Sequence, residues 1–271
     1  MNIRNYKQQL ITDFDSRQNY DQGRFKILVA NELVEHAKLK PGQKVLDIAT
    51  GTGLVALNAA QKVTNQGKVI GVDISSGMLL KAREKLEISG LHNVEFIEAD
   101  VEEIDFAEGS FDVILCSLAA CYLTDISNAF QNWYKWLNPQ GMIIFNAWEE
   151  NAFPPSVIFR QVTQSYGITI PNPNESLGTK QRCYELLQAA NFRDIEIEEK
   201  QFGWYFQDII ETAQGGWKGN SQNAFGYQVL ELPKDKLEEC KAEYIKKIEN
   251  LPQTNDGVWC NALIFNIKAY K

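Results

Sequence analysis

The nine residues VLDIATGTG, Val45 to Gly53, decide how this chain is read. An apolar run stops at Asp47, a loop with glycines at Gly51 and Gly53 follows, and a helical pattern starts at Leu54, Val55, Ala56 and Leu57. Strand, tight turn and helix are the elements this order predicts. Glycine has no Cβ, so main-chain N–H groups at the helix N-terminus can come close to a ligand. About 20 residues beyond the loop, Asp73 ends a second apolar run, where a carboxylate can accept hydrogen bonds from both hydroxyls of a ribose. A third run, VEFIEAD, ends at Asp100. The ligand predicted by these positions contains a nucleoside.

Two cofactor classes compete for the loop, because Gly51-x-Gly53-x-x-Ala56 also satisfies the dinucleotide fingerprint. Charge separates them. Asp47 would stand close to an anionic pyrophosphate, and like charges at short range are unfavourable in a partly dry site. S-adenosylmethionine instead offers an ammonium and a sulfonium, which a carboxylate favours directly or through water. The charge argument selects the methyl donor over NAD.

The run Asp47-x-Ala49-x-Gly51-x-Gly53, then Asp73-Ile74-Ser75 with Met78 and Leu79, then Ala99-Asp100-Val101, then FDVILCSLAACYLTD, resembles the class I S-adenosylmethionine-dependent methyltransferases. It looks closest to the branch that includes the ubiquinone/menaquinone biosynthesis methyltransferases. The resemblance is strong from about residue 40 to 148 and looser beyond. Ala49 departs from it, standing where many relatives carry the first of three glycines. The fold implied is α/β: a doubly wound, Rossmann-like, mostly parallel seven-stranded sheet with an N-terminal helical cover and a cap insert before the last strand. One domain is expected over 1–271, with N-terminal helices in 1–40, a cofactor-binding core in 41–150, the rest of the sheet from 151–202 and 258–271, and a substrate cap in 203–257.

By the same resemblance, the glycine loop (Asp47, Ala49, Gly51, Gly53) cradles the cofactor, Asp73 holds its ribose, Ile74 beside it is a further cofactor-binding residue, and Met78 lies against adenine. Asp100 accepts from the adenine amino group, the Val101 N–H donates to a ring nitrogen, and Ser117 opens the loop that faces the donor methyl. Met78 could equally be core packing, and Asp100 could be a turn-capping aspartate. Tyr20 either closes over the methionine end, as the resemblance implies, or packs at the start of a helix.

Composition narrows the partners. A net charge of −8 argues against nucleic acid, because phosphate binding needs concentrated Lys and Arg. The five cysteines, Cys116, Cys121, Cys183, Cys240 and Cys260, are scattered without a C-x-x-C pair, which predicts reduced thiols and no metal site. The N-terminus is too polar for a signal peptide and nowhere do 18 apolar residues run together, so a cytoplasmic protein without a membrane partner is expected.

Along the chain, strands are expected at 44–49, 68–73, 94–99, 111–116 and 142–148, alternating with helices. Asn138 to Gly141 reads as a turn, 192–202 as a further strand, and Val258 to Tyr270 as one closing strand. Residues 1–20 suggest a helix packed over the cofactor site. The insert's aromatics among glycines, around Trp204, Trp217 and Phe225, fit a pocket wall for a small apolar or planar acceptor.

Methyl transfer from a sulfonium needs alignment more than acid–base help. His36 and His92 both read as solvated surface residues, and Cys121 as an inert thiol. The acceptor is expected to be an O or N nucleophile that needs no base, or one served by Tyr20 or Glu149. No catalytic residue is identified. A nicotinamide-dependent oxidoreductase and a non-catalytic binding subunit are the alternatives.

Overall fold

The computed structural model describes residues 3–22 and 24–271; Met1 and Asn2, within the expected N-terminal helix, lie outside them. The chain runs α1 (Ile3–Ser16), α2 (Arg24–Ala37), β1 (Lys44–Ile48), α3 (Leu54–Val63), β2 (Lys68–Asp73), α4 (Ser76–Ser89), β3 (Val94–Glu98), β4 (Phe111–Ser117), α5 (Ile126–Trp136) and β5 (Leu137–Trp148). It continues through α6 (Pro154–Ser165), α7 (Lys180–Ala189), β6 (Arg193–Gln201), β7 (Trp204–Phe206), α8 (Ile209–Ser221), α9 (Lys234–Glu249), β8 (Gln253–Thr254), β9 (Gly257–Cys260) and β10 (Leu263–Tyr270).

The chain divides into two compact units, one of residues 14–147, 179–199 and 265–271, the other of 1–13, 148–178 and 200–264. The first holds most of a seven-stranded sheet in the order β3-β2-β1-β4-β5-β10-β6. Its central strands are parallel, with Asp47 beside Gly71 on one side and Leu115 on the other. Such strands are covered on both faces, which is why β1 and β4 read as continuous apolar runs rather than alternating ones. On one face, Leu33 and Val34 of α2 and Ala56, Ala59 and Val63 of α3 pack on Val45, Val69, Val113 and Ile144. The doubly wound, mostly parallel α/β fold expected from the sequence is the fold observed.

Asn138 to Gly141 does not end the ladder as the sequence suggests. β5 starts at Leu137, opposite Phe111, and the register then jumps so that Val113 faces Met142. The extra residues bulge, with the Asn138 Nδ2 donating to Asp112 Oδ1 at 2.5 Å. His36 also differs from expectation. It is half-buried, its Nδ1 4.0 Å from Glu198 Oε2 and its Nε2 enclosed without a partner. Burial and the nearby Lys268 lower its pKa, against the pull of Glu198 and Glu196. His92 is exposed, as expected.

The second unit packs α6, α8 and α9 around Phe159, Trp217 and Tyr244, whose rings lie 5.4–5.8 Å apart. Gly216 permits the Tyr244 hydroxyl to rest on the main chain, since a Cβ there would stand 2.4 Å from it. Its small sheet has the order β7-β9-β8 and is antiparallel. The expected single strand Val258–Tyr270 is therefore two. The chain breaks at Asn261 and Ala262, where local partners replace a ladder: Phe153 N donates to Asn261 O at 2.7 Å and Ala262 N to Gln201 Oε1 at 3.1 Å. The insert 203–257 adds no strand to the seven-stranded sheet, and residues 1–13 and 148–178 join it in this unit.

Candidate active site

The glycine loop is built by three left-handed residues, Ala49 (φ 50°), Gly51 (φ 54°) and Gly53 (φ 79°). Such values suit glycine, so Ala49 is the strained member. Thr50 N donates to Val72 O and Gly53 N to Thr50 O, both at 2.9 Å, which folds the turn back on β2 before α3 begins. The two glycines do different things. A Cβ on Gly51 would meet no protein atom within 4 Å, so the space beside its main chain is open to a ligand. A Cβ on Gly53 would lie 2.9 Å from the Phe96 ring and 3.1 Å from Ala82, which makes Gly53 a close-packing position between helix and sheet.

Asp47 is 1% exposed and faces inward. Its Oδ2 accepts from the Thr50 hydroxyl at 2.5 Å, and its carboxylate also takes the Ala56 N–H in the first turn of α3. Burial pushes its pKa up to about 7; the Thr50 hydroxyl opposes that shift, and the charge of Asp73 adds to it. A carboxyl poised near neutrality gains full charge when a cation settles beside it and stays partly protonated otherwise.

Asp73 joins the loop to α4. Gly51 N donates to its Oδ2 at 2.7 Å and Ser75 N to its Oδ1 at 2.8 Å. Burial raises its pKa, these two N–H groups hold it down, and Asp15 pushes it up again. The Ile74 N–H is a third main-chain donor to it, and of the roughly four acceptor sites of a carboxylate this leaves one for a ligand hydroxyl. Replacing Asp73 by Ala should weaken adenosyl-ligand binding by about 1–3 kcal/mol through lost hydrogen bonds; calorimetry showing wild-type affinity would remove Asp73 from the site.

Ile74 is half-buried, and Met78 is 1% exposed in the first turn of α4, whose N-cap Ser75 accepts from Met78 N at 3.1 Å. Asp100 follows β3 and its Oδ1 accepts from Glu102 N at 2.9 Å, a turn-capping geometry; Val101 beside it is half-buried. Ser117 ends β4 and is half-buried. Together with Asp47 and Asp73, these positions lie at or just past the carboxyl ends of adjacent parallel strands, where open α/β sheets bind ligands.

Tyr20 sits against Phe14 (6.1 Å between centroids), which in turn meets Tyr122 edge-on at 5.4 Å. The Lys26 ammonium lies 3.1 Å from the Tyr20 ring centroid and donates to the Tyr20 carbonyl. Burial pushes the Tyr20 hydroxyl up to about 12, with the Asp73 and Asp21 charges adding to it and Arg17 opposing. At neutral pH it is a hydrogen-bond donor and not a base.

Several contacts escaped the sequence reading. Asp15 Oδ1 accepts from the Ser75 hydroxyl at 2.6 Å and from Gly77 N at 3.0 Å. Asp21 accepts from the Thr52 hydroxyl at 2.7 Å and from Lys85, and Lys85 also donates to Thr52 O at 2.8 Å. Residues 15–21 are thereby tied to the glycine loop and to α4. The one available signal was Asp15 and Asp21 themselves, acidic residues in a stretch otherwise hard to assign. Among the described residues no group of three or more His, Cys, Asp or Glu side chains is placed to hold a metal, and no helix is long and apolar enough to cross a membrane.

A glycine turn after the first strand, a main-chain-braced carboxylate after the second and an acid after the third stand at the carboxyl edge of an α/β sheet. Residues 45–141 match the methyltransferase domain family. Over this stretch the chain is similar to the class I S-adenosylmethionine-dependent methyltransferases. It is 31% identical over 156 residues to the ubiquinone/menaquinone biosynthesis C-methyltransferase UbiE of Idiomarina loihiensis, covering 57% of this chain and 61% of that protein. It is 34% identical over 145 residues to the aklanonic acid methyltransferase DauC of Streptomyces sp. strain C5, covering 52% and 66%. The chain thus spans less than two thirds of the length of these curated relatives. Among solved structures, the YcgJ protein of Bacillus subtilis has the same fold at 16% identity, with a TM-score of 0.64 over 90% of this chain and 98% of that one. The residues present fit S-adenosylmethionine: open space at Gly51, a hydroxyl acceptor at Asp73, and an acid at Asp47 that a cation would ionise.

Proposed function

We propose that the chain transfers the methyl group of S-adenosylmethionine to an O or N atom of a small-molecule acceptor. The observation that carries this reading is the junction of Gly51 and Asp73, a donor and an acceptor held together beside open space at the end of β2. The cofactor supplies a methyl already activated on its sulfonium. Asp73 would hold the ribose, Asp100 and the Val101 N–H the adenine, and Met78 the flat face of the base. Tyr20, protonated at neutral pH, would donate toward the methionine end. With the Tyr20 hydroxyl held near 12 and Cys121 half-buried with its thiol pushed up to about 12 by burial, neither group removes a proton from the acceptor at neutral pH. An acceptor that arrives as a nucleophile, a carboxylate or an unprotonated amine, is the one these residues serve.

Carbon methylation is the second reading, because the relative at 31% identity carries C-methyltransferase in its name. The insert 203–257 is proposed as the wall of the acceptor pocket, and nucleic acid as a partner is disfavoured by the charge of −8. The scattered cysteines Cys116, Cys121, Cys183, Cys240 and Cys260, without a C-x-x-C pair, fit a reducing compartment such as the cytoplasm.

The test has two stages. Calorimetry with S-adenosylmethionine, S-adenosylhomocysteine and NAD should give binding of the two adenosyl compounds alone. Incubation with a metabolite panel should then release S-adenosylhomocysteine, and the carbon shift of the new methyl separates O or N from C as the attacked atom. A chain that binds NAD and neither adenosyl compound would overturn the proposal.

A further inference from the structure

Beside Ser117 the sheet carries a polar pair that none of the roles above uses. The bonds from Glu149 N to Leu263 O (3.0 Å) and from Lys271 N to Gly141 O (2.9 Å) fix the antiparallel register of β5 and β10. Counting inward from either bond sets Asn146 opposite Asn266, at a position where the two main chains do not bond and side chains approach closely. On its other side Asn146 is the ladder partner of Ser117. Both asparagines are 1% exposed. The Nδ2 of Asn146 and both amide atoms of Asn266 have no hydrogen-bond partner.

Burying amide atoms without partners is unfavourable, so an asparagine here calls for a reason. One bond accounts for an amide at 146. The Leu118 N–H donates to Asn146 Oδ1 at 2.6 Å. Leu118 stands at φ 53°, left-handed backbone that a leucine does not adopt unaided. From this turn the chain enters a single helical turn, Ala120–Tyr122, in which the Cys121 thiol points back to Leu118 O at 3.8 Å.

We propose that Asn146 is a positioning residue: its carbonyl oxygen fixes the Leu118 turn, and with it the loop Ser117–Tyr122. The functional consequence rests on the methyltransferase reading, in which this loop borders the transferred methyl. Asparagine at 146 supplies an acceptor for the strained turn.

Cys121 is a built-in reporter. It is half-buried in the turn, and the other four thiols, all buried, serve as references within the same molecule. Burial keeps it a thiol, so it should alkylate slowly in the wild type. Iodoacetamide labelling followed by peptide mass spectrometry should find Cys121 about tenfold or more faster in Asn146→Leu, which leaves the Leu118 N–H without an acceptor. Asn146→Asp, which keeps an acceptor oxygen, should label close to the wild-type rate. Affinity for S-adenosylhomocysteine should fall in the leucine variant and recover in the aspartate one, while the melting temperature of Asn146→Leu holds or rises. Wild-type labelling and wild-type affinity in Asn146→Leu would overturn the proposal. If that variant does not fold, Asn146→Ala decides: faster Cys121 labelling at an unchanged melting temperature supports the role, and a wild-type rate refutes it. A wild type that ignores S-adenosylhomocysteine would sink the methyltransferase reading alone, because labelling requires no cofactor.

Discussion

Replacing Asp47 by Asn should make the unliganded protein more stable above neutral pH while weakening its hold on S-adenosylmethionine. Asp47 is held near 7 in the folded chain, against an ordinary value of 3.8. A carboxyl whose folded pKa is raised contributes its stability at low pH and loses it as the pH climbs from the ordinary value through the folded one, here between roughly 4 and 7. At pH 8 the buried charge then costs the fold about 2–4 kcal/mol, which asparagine removes while still accepting from the Thr50 hydroxyl. Thermal melts of both proteins at pH 5 and pH 8 check this: the gain should appear at pH 8 and shrink at pH 5. The same ionisation should couple to ligand. Binding the cationic cofactor near pH 6.5 should release a proton, visible as a dependence of calorimetric heat on buffer ionisation enthalpy, and the variant should release none. Equal melting curves and no proton release would show that Asp47 does not titrate in this range.

Gly51→Val should abolish adenosyl-ligand binding while Gly53→Ala chiefly weakens the fold. At φ 54° a β-branched residue is strained by about 1–2 kcal/mol. Its side chain would project into space that no protein atom occupies, where the ligand's approach is expected. A loss of affinity of about a hundredfold or more, roughly 2.7 kcal/mol, should therefore accompany a modest fall in melting temperature. Gly53→Ala instead drives a methyl against Phe96 and Ala82 in a close-packed interior, where overpacking costs about 1–3 kcal/mol. Its melting temperature should fall while the residual folded protein still binds. Full binding by Gly51→Val would refute the loop assignment.

The parts of the fold that could be read from residues are those with a local signature. The strand at Val45, the glycine turn and the helix at Leu54 follow from apolar run length and from backbone that only glycine tolerates well. Asp73 and Asp100 are legible because each ends a run. What was illegible depends on pairs distant in sequence. Nothing in the spacing of Asp21, Thr52 and Lys85 announces that the three side chains meet. Asp47 was legible as a position but not as a titrating group, since its orientation toward Thr50 and Ala56 belongs to the folded turn. The apolar run from Val258 to Tyr270 concealed a break, because Asn261 and Ala262 interrupt it only by bonding to Phe153, Gln201 and Phe202.

Strand β10 is made last of all the strands, yet it lies between β5 and β6. During synthesis, β6 emerges before its sheet neighbour and must wait for some sixty further residues to leave the ribosome, about 3–12 seconds at the rates typical of translation. Its sequence RDIEIEEKQ is charged along its length, a composition that discourages an unpaired strand from zipping onto the wrong chain in the interval.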